Sequence, residues 1–125
     1  AKRYRAAVDF DAPVDEGDLA AAADRLTGAT VEQYTPKRVD HRRANLTRER
    51  EVYAVEVTHE SPTQASVDVH GAGGLYIKEL ISGDDGRTEP SLAGLLEVAA
   101  TVTALDVLAV EGEAEPFERE DFFRE

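Results

Sequence analysis

The chain has no cysteine, which excludes a disulfide framework and thiolate metal ligation and makes a cytoplasmic protein the simplest expectation. Its three histidines, His41, His59 and His70, fall in three separate stretches without ligand spacing, so neither a metal centre nor any other cofactor is expected. No apolar run approaches the ~20 residues of a membrane-spanning helix, and no signal-peptide pattern is present. A membrane partner is therefore not expected. Lysine is scarce, with three residues against eleven arginines. Acids outnumber bases 26 to 14, for a net charge of −12.

A net charge of that size implies either repulsion from nucleic acid and membranes or adaptation to high salt, where an acidic, lysine-poor surface keeps a protein soluble. The uneven spread of charge favours the second reading. The first fifty residues hold ten bases and nine acids, and the remaining 75 hold four bases and 17 acids. Within Lys37–Arg50 six bases (Lys37, Arg38, Arg42, Arg43, Arg48, Arg50) face only Asp40 and Glu49. The 125 residues fit one domain, or a piece of one, with a modest core. The sequence opens at Ala1 on a strand-like pattern with no initiator Met, as expected of a fragment of a longer protein.

Alternation places Tyr4, Ala6, Val8 and Phe10 on one face of a first strand. Asp11-Ala12-Pro13 breaks it. Asp15 or Asp18 then caps a helix with the stripe Leu19, Ala22, Ala23 and Leu26, closed by Gly28. Thr30–Tyr34 is a short strand ended by Pro36. Arg48–His59 carries Val52 and Ala54 on one face and Tyr53, Val55 and Val57 on the other, as expected of a central strand apolar on both faces. With Gln64–His70 it forms a hairpin around Ser61-Pro62-Thr63. Ser91 caps a short helix through Leu96, and Thr101–Val110 is a last strand. Residues 111–125 form an acidic tail.

The stretch Gly73-Gly74-Leu75-Tyr76-Ile77-Lys78-Glu79-Leu80-Ile81-Ser82-Gly83-Asp84-Asp85-Gly86-Arg87-Thr88-Glu89-Pro90 organises the rest. Gly73 and Gly74 permit a sharp turn out of the preceding strand. Tyr76, Ile77, Leu80 and Ile81 recur at helical spacing. Lys78 lies near the helix entrance, where the dipole does not favour a cation, and a carboxylate partner is expected. The G-x-Y-I-K core resembles the third motif of pseudouridine synthases of the bacterial TΨC-loop type. The longer run resembles the archaeal and eukaryotic tRNA pseudouridine synthase ten family. Lys2-Arg3-Tyr4 resembles that fold's K-x-Y motif, and Thr35-Pro36-Lys37-Arg38-Val39-Asp40-His41-Arg42-Arg43 resembles the family's T-P-x-R-V-x-H-R-R run.

The resemblance implies an Asp nucleophile that detaches uracil and lets it rejoin the ribose through carbon, at uridines 54 and 55 of tRNA. Lys78 is then the cation paired with that Asp, an arrangement that favours the ionised carboxylate. Tyr4 and Tyr76 supply rings for the base, and Leu95 (or equally Leu96) the apolar wall that replaces its lost stacking. Lys37, Arg38, His41, Arg42, Arg43 and Arg87 are candidate RNA contacts, since arginine forks suit phosphate. Not all of the basic run can share one face, so some of it is expected in structural ion pairs. The nucleophile's G-R-x-D-type motif is absent: Gly86-Arg87-Thr88-Glu89 lies on the wrong side of Lys78 and ends in Glu. Ser82 has no His to activate it, and Gly71–Gly74 lacks the context of a phosphate loop.

The expected architecture is α+β, a mixed, largely antiparallel sheet of about five strands with two or three short helices, part of the pseudouridine-synthase fold. Residues 1–110 are expected to be the C-terminal part of its catalytic domain. Expected partners are tRNA and the rest of the parent chain, with a monomer as the state and no activity from this portion alone. The alternative is a non-catalytic RNA-binding module built on Lys37–Arg50.

Overall fold

The computed structural model describes residues 2–37 and 46–110, with side chains through Leu108. The acidic tail and residues Arg38, His41, Arg42 and Arg43 of the basic run lie outside the described residues. Strands β1 (Lys2–Phe10), β2 (Thr30–Tyr34), β3 (Thr47–Ser61), β4 (Gln64–Gly71), β5 (Thr88–Glu89) and β6 (Ala100–Val110) alternate with helices α1 (Glu16–Leu26), α2 (Ile77–Ser82) and α3 (Leu92–Leu96). The sheet order is β5-β2-β3-β4-β1-β6, and the described pairings are antiparallel. The expected five strands become six because Thr88 and Glu89 pair with Gln33 and Glu32, a bridge too short to show in alternation.

One face of the sheet is buried. Ala6, Val8 and Phe10 of β1, Ala65, Val67 and Val69 of β4, and Val31 of β2 all point into the core. The helices cover that face. α1 turns Leu19, Ala22, Ala23 and Leu26 inward and is capped by the Asp15 carboxylate on the Gly17 N–H at 2.9 Å. Such a cap satisfies one of the first-turn donors that the helix leaves unpaired. Gly28 follows with φ 81°. Ser91 caps α3, accepting from the Gly94 N–H at 3.0 Å.

The opposite face is polar and solvated. There the Arg5 guanidinium grips the Asp68 carboxylate across the β1–β4 pair at 2.9 and 3.0 Å.

The expectation that β3 is apolar on both faces is corrected by a bulge. The pairing steps from Val52↔Gly71 to Ala54↔His70, so two residues of β3 oppose one of β4. The extra residue returns Val52 and Val55 to the same buried face and leaves Tyr53 exposed, its ring edge-on to His70 at 5.1 Å. Inserting one residue reverses the side-chain phase of everything beyond it. The segment after α1 then serves the edge of β3 beyond the end of β2. Gly28 N–H donates to Val52 O, Val52 N–H to Ala29 O, and Val55 N–H to Thr27 Oγ1. These bonds satisfy backbone groups that the ladder leaves open. β6 departs from plain alternation in the same way. A shift between Ala7 and Val8 pairs Val8 with Val102 and Ala6 with Leu105, bringing both β6 residues against the core.

Leu80 of α2 is fully buried. Leu80→Ala is expected to lower the unfolding free energy by about 2–5 kcal/mol through lost transfer energy and a residual cavity, measured by urea denaturation.

Candidate functional site

The Gly71–Ser82 stretch is built by three local constraints. A side chain at Gly71 would put its Cβ 2.4 Å from Leu75 Cδ2, so any larger residue would have to displace the buried Leu75 from its place under the strand end. Gly74, with φ 87°, makes the turn. Gly73, also expected to supply conformational freedom, has no positive φ. Against Gly74 lies the Arg50 guanidinium, 2.9 Å from where a Cβ would stand.

The helix that follows buries Ile77, Glu79, Leu80 and Ile81. Tyr76 is not on that apolar face as expected. It is the residue before the first turn and is half-buried, and its side chain makes no cap. Its backbone is held instead by Gln33, which is 1% exposed. Gln33 Oε1 accepts the Tyr76 N–H at 2.9 Å, and Gln33 Nε2 donates to Tyr76 O at 2.9 Å. Sequence reasoning missed this residue. The available signal was an amide side chain two positions from Val31, on the buried face of a five-residue strand.

Lys78 points outward from α2 and is exposed. It borders a cavity of about 350 Å³ together with Val102, Thr103, Ala104 and Leu105 of β6. Among the described residues it has no carboxylate partner, so the expected counter-ion is not found there. Tyr4 does not line that cavity and is linked to it through the strand register. Leu105, which shares the Lys78 cavity, pairs with Ala6, and Tyr4 is two residues along the same face of β1, paired with Val107. The Tyr4 ring packs on the core, and burial pushes its phenol pKa up. Leu95 is elsewhere. It lines a larger cavity, about 860 Å³, with the Ser82–Gly86 turn, Pro90 and the carboxylates of Glu32 and Glu97. Its alternative, Leu96, packs against the core.

Of the basic run, Lys37 is described and is bound by acids. Its N–H donates to Asp84 Oδ2 at 3.0 Å, and its ammonium pairs with the Asp85 carboxylate. Asp84 and Asp85 stand at φ 47° and 55°, left-handed conformations that aspartate tolerates better than most residues. Arg87 is also committed structurally. Its Nη1 donates to Thr35 O at 2.6 Å, and its guanidinium lies 5.2 Å over the Tyr34 ring. Thr35 is fully buried, its N–H donating to Leu46 O and its hydroxyl accepting from the Leu46 N–H, both at 2.9 Å. Thr35 and Leu46, on either side of residues 38–45, are thus tied to each other.

The family of this chain is decided by comparison with known proteins. Residues 1–111 match the family described as "Pus10, C-terminal". The chain belongs to that family. It is 70% identical over its whole length to the tRNA pseudouridine synthase Pus10 of Halorubrum lacusprofundi, covering 29% of that protein. Against Pus10 of Methanothrix thermoacetophila it is 51% identical over 111 residues, 89% of the chain and 24% of the relative. Against that of Archaeoglobus fulgidus it is 47% identical over 109 residues, 87% of the chain and 30% of the relative. The chain thus spans less than a third of the length of these curated relatives.

Its fold is that of a chain in a crystal structure of a Cbf5-Nop10-Gar1 complex, with a TM-score of 0.70 at 24% identity, covering 86% of this chain and 30% of that one. An H/ACA RNP bound to a substrate RNA containing 2'-deoxyuridine gives 0.61 at 20% identity, covering 86% and 27%. The α+β expectation therefore stands, and no helix of the described residues is long and apolar enough to cross a membrane.

The hydrogen bond and charge of Lys37 hold the exposed Asp85 carboxyl below its usual pKa of 3.8. A depressed carboxylate contributes stability above its unfolded pKa and loses it as pH falls through the lower folded value. The Lys37–Asp85 pair is expected to open only in acid below the ordinary aspartate range and to weaken with salt. An NMR titration of Asp85 should show the low midpoint, and Lys37→Ala should return it toward 3.8.

Proposed function

We propose that this chain is the C-terminal catalytic portion of a tRNA pseudouridine synthase acting on uridines 54 and 55 of the TΨC loop. The supporting observation is a family match over residues 1–111; beside it, the exposed Lys78 borders a cavity with residues 102–105 of β6, the strand with which Tyr4 pairs through Val107. In this reading Lys78 faces an Asp nucleophile supplied by sequence outside the chain and keeps that carboxylate ionised. Removing a cation a few ångströms away raises such a pKa by roughly one to three units. Tyr4 lies against the uracil as it leaves and rejoins the ribose through carbon. The change is an isomerisation, with every atom of the substrate retained, so it calls for no co-reactant. Tyr76 supplies the second ring; Leu95 lines a separate cavity, so of the two leucines Leu96 is left as the candidate for the apolar wall.

The tRNA is met by Arg38, His41, Arg42 and Arg43, with Lys37 and Arg87, already engaged by Asp84, Asp85 and Thr35, flanking that segment. The partners are tRNA and the remaining part of the parent chain, and the enzyme acts as a monomer. An acidic protein can take this role because six of its 14 bases lie within Lys37–Arg50 against two acids. High salt screens the repulsion from the rest of the surface, although it also weakens phosphate contacts.

In a synthase containing this chain, Lys78→Ala is expected to reduce pseudouridine formation by at least about a hundredfold. Its tRNA affinity should remain within about twofold, because an active-site cation is not among the phosphate contacts that dominate binding. Single-turnover kinetics and filter binding measure the two. Turnover retained at the wild-type rate would remove Lys78 from the mechanism.

A further inference from the structure

We propose that Gln33 is the positioning residue of the catalytic motif, setting the geometry of Tyr76 and, two residues on, Lys78. The inference rests on the reading of Lys78 given above. Gln33 holds both polar groups of a single residue, the Tyr76 N–H and the Tyr76 carbonyl, each at 2.9 Å. That carbonyl also accepts the Leu80 N–H at 3.0 Å, the first bond of α2. Gln33 therefore grips the point at which the helix begins. Its Nε2 lies 3.3 Å from Thr88 Oγ1 as well, so each polar atom of the buried amide has a partner.

The amide itself cannot wander. β2 is paired on one side with β3 through Gln33↔Arg48 and on the other with β5 through Gln33↔Thr88, so its Cα is held from two directions. Arg50, which pairs with Val31 on the same strand, supports the other end of the motif by lying against Gly74. A six-residue helix has little stability of its own. Its direction, and with it the place of the Lys78 ammonium, follows from what holds its first residue. A misplacement of about 1 Å costs an active site on the order of a hundredfold in rate, so a brace remote from substrate can set the rate without touching the base.

The test is Gln33→Glu in a synthase containing this chain, with Gln33→Leu beside it. Gln33→Glu keeps shape and the acceptor for the Tyr76 N–H, but when ionised has no donor for Tyr76 O. The expected result is a kcat per folded enzyme about tenfold to a hundredfold lower, with KM for tRNA within about twofold of wild type. Amide hydrogen exchange over residues 75–81 should be faster, while exchange in α1 is unchanged. An unaltered kcat, or unaltered exchange over 75–81, would overturn the proposal. Should Gln33→Leu fail to fold, the near-isosteric Gln33→Glu decides the matter by the same two readouts. A wild-type enzyme inert on tRNA would instead sink the functional reading, and hydrogen exchange would then decide the place of Gln33 by itself.

Discussion

Two of the three helices that cover the sheet are six and five residues long, far below the ~12–15 residues at which a helix becomes even marginally stable alone. They exist because they bury Ile77, Leu80, Ile81, Leu92 and Ala93 on a sheet that is apolar on one side, and because the start of each is capped from one source or another. α3 has its own serine cap. α2 has none, and a glutamine from a distant strand takes that place. The start of the helix that carries Lys78 is held by that substitution. The lysine is placed by the sheet, through Gln33, rather than by the helix on which it stands.

Electrostatics divides the molecule by location more than by energy. Exposed ion pairs such as Lys37–Asp85 contribute little to stability, and their value lies in where they hold the chain. The left-handed pair Asp84 and Asp85 takes the Lys37 N–H and ammonium, Arg87 takes Thr35 O, and Thr35 bonds Leu46. Acids and bases that look like a solvated run in the sequence are used to fix the chain on either side of residues 38–45.

Much of this was legible in the residues. The Leu19–Leu26 stripe with Asp15 before it and Gly28 after it, the hairpin around Pro62-Thr63, and the serine before α3 are local patterns, and each became the element expected. Tyr4 and Lys78 could be singled out because their motifs are short and contiguous. The bulge at Tyr53 was not legible, because alternation cannot show which residue its partner strand skips. Nor was the separation of Leu95 from the Lys78 cavity, which depends on how α3 sits over the 82–86 turn.

Side-chain period, turn chemistry and capping act over a few residues, and from these the sequence alone determined the longer strands, the helices and the membership that its motifs announce. Tertiary structure decided the rest: which strands neighbour one another, where a register slips, and that Gln33 reaches Tyr76 across 43 positions. The physical reason is that a buried amide must find partners wherever folding places them, and no local pattern records where that is.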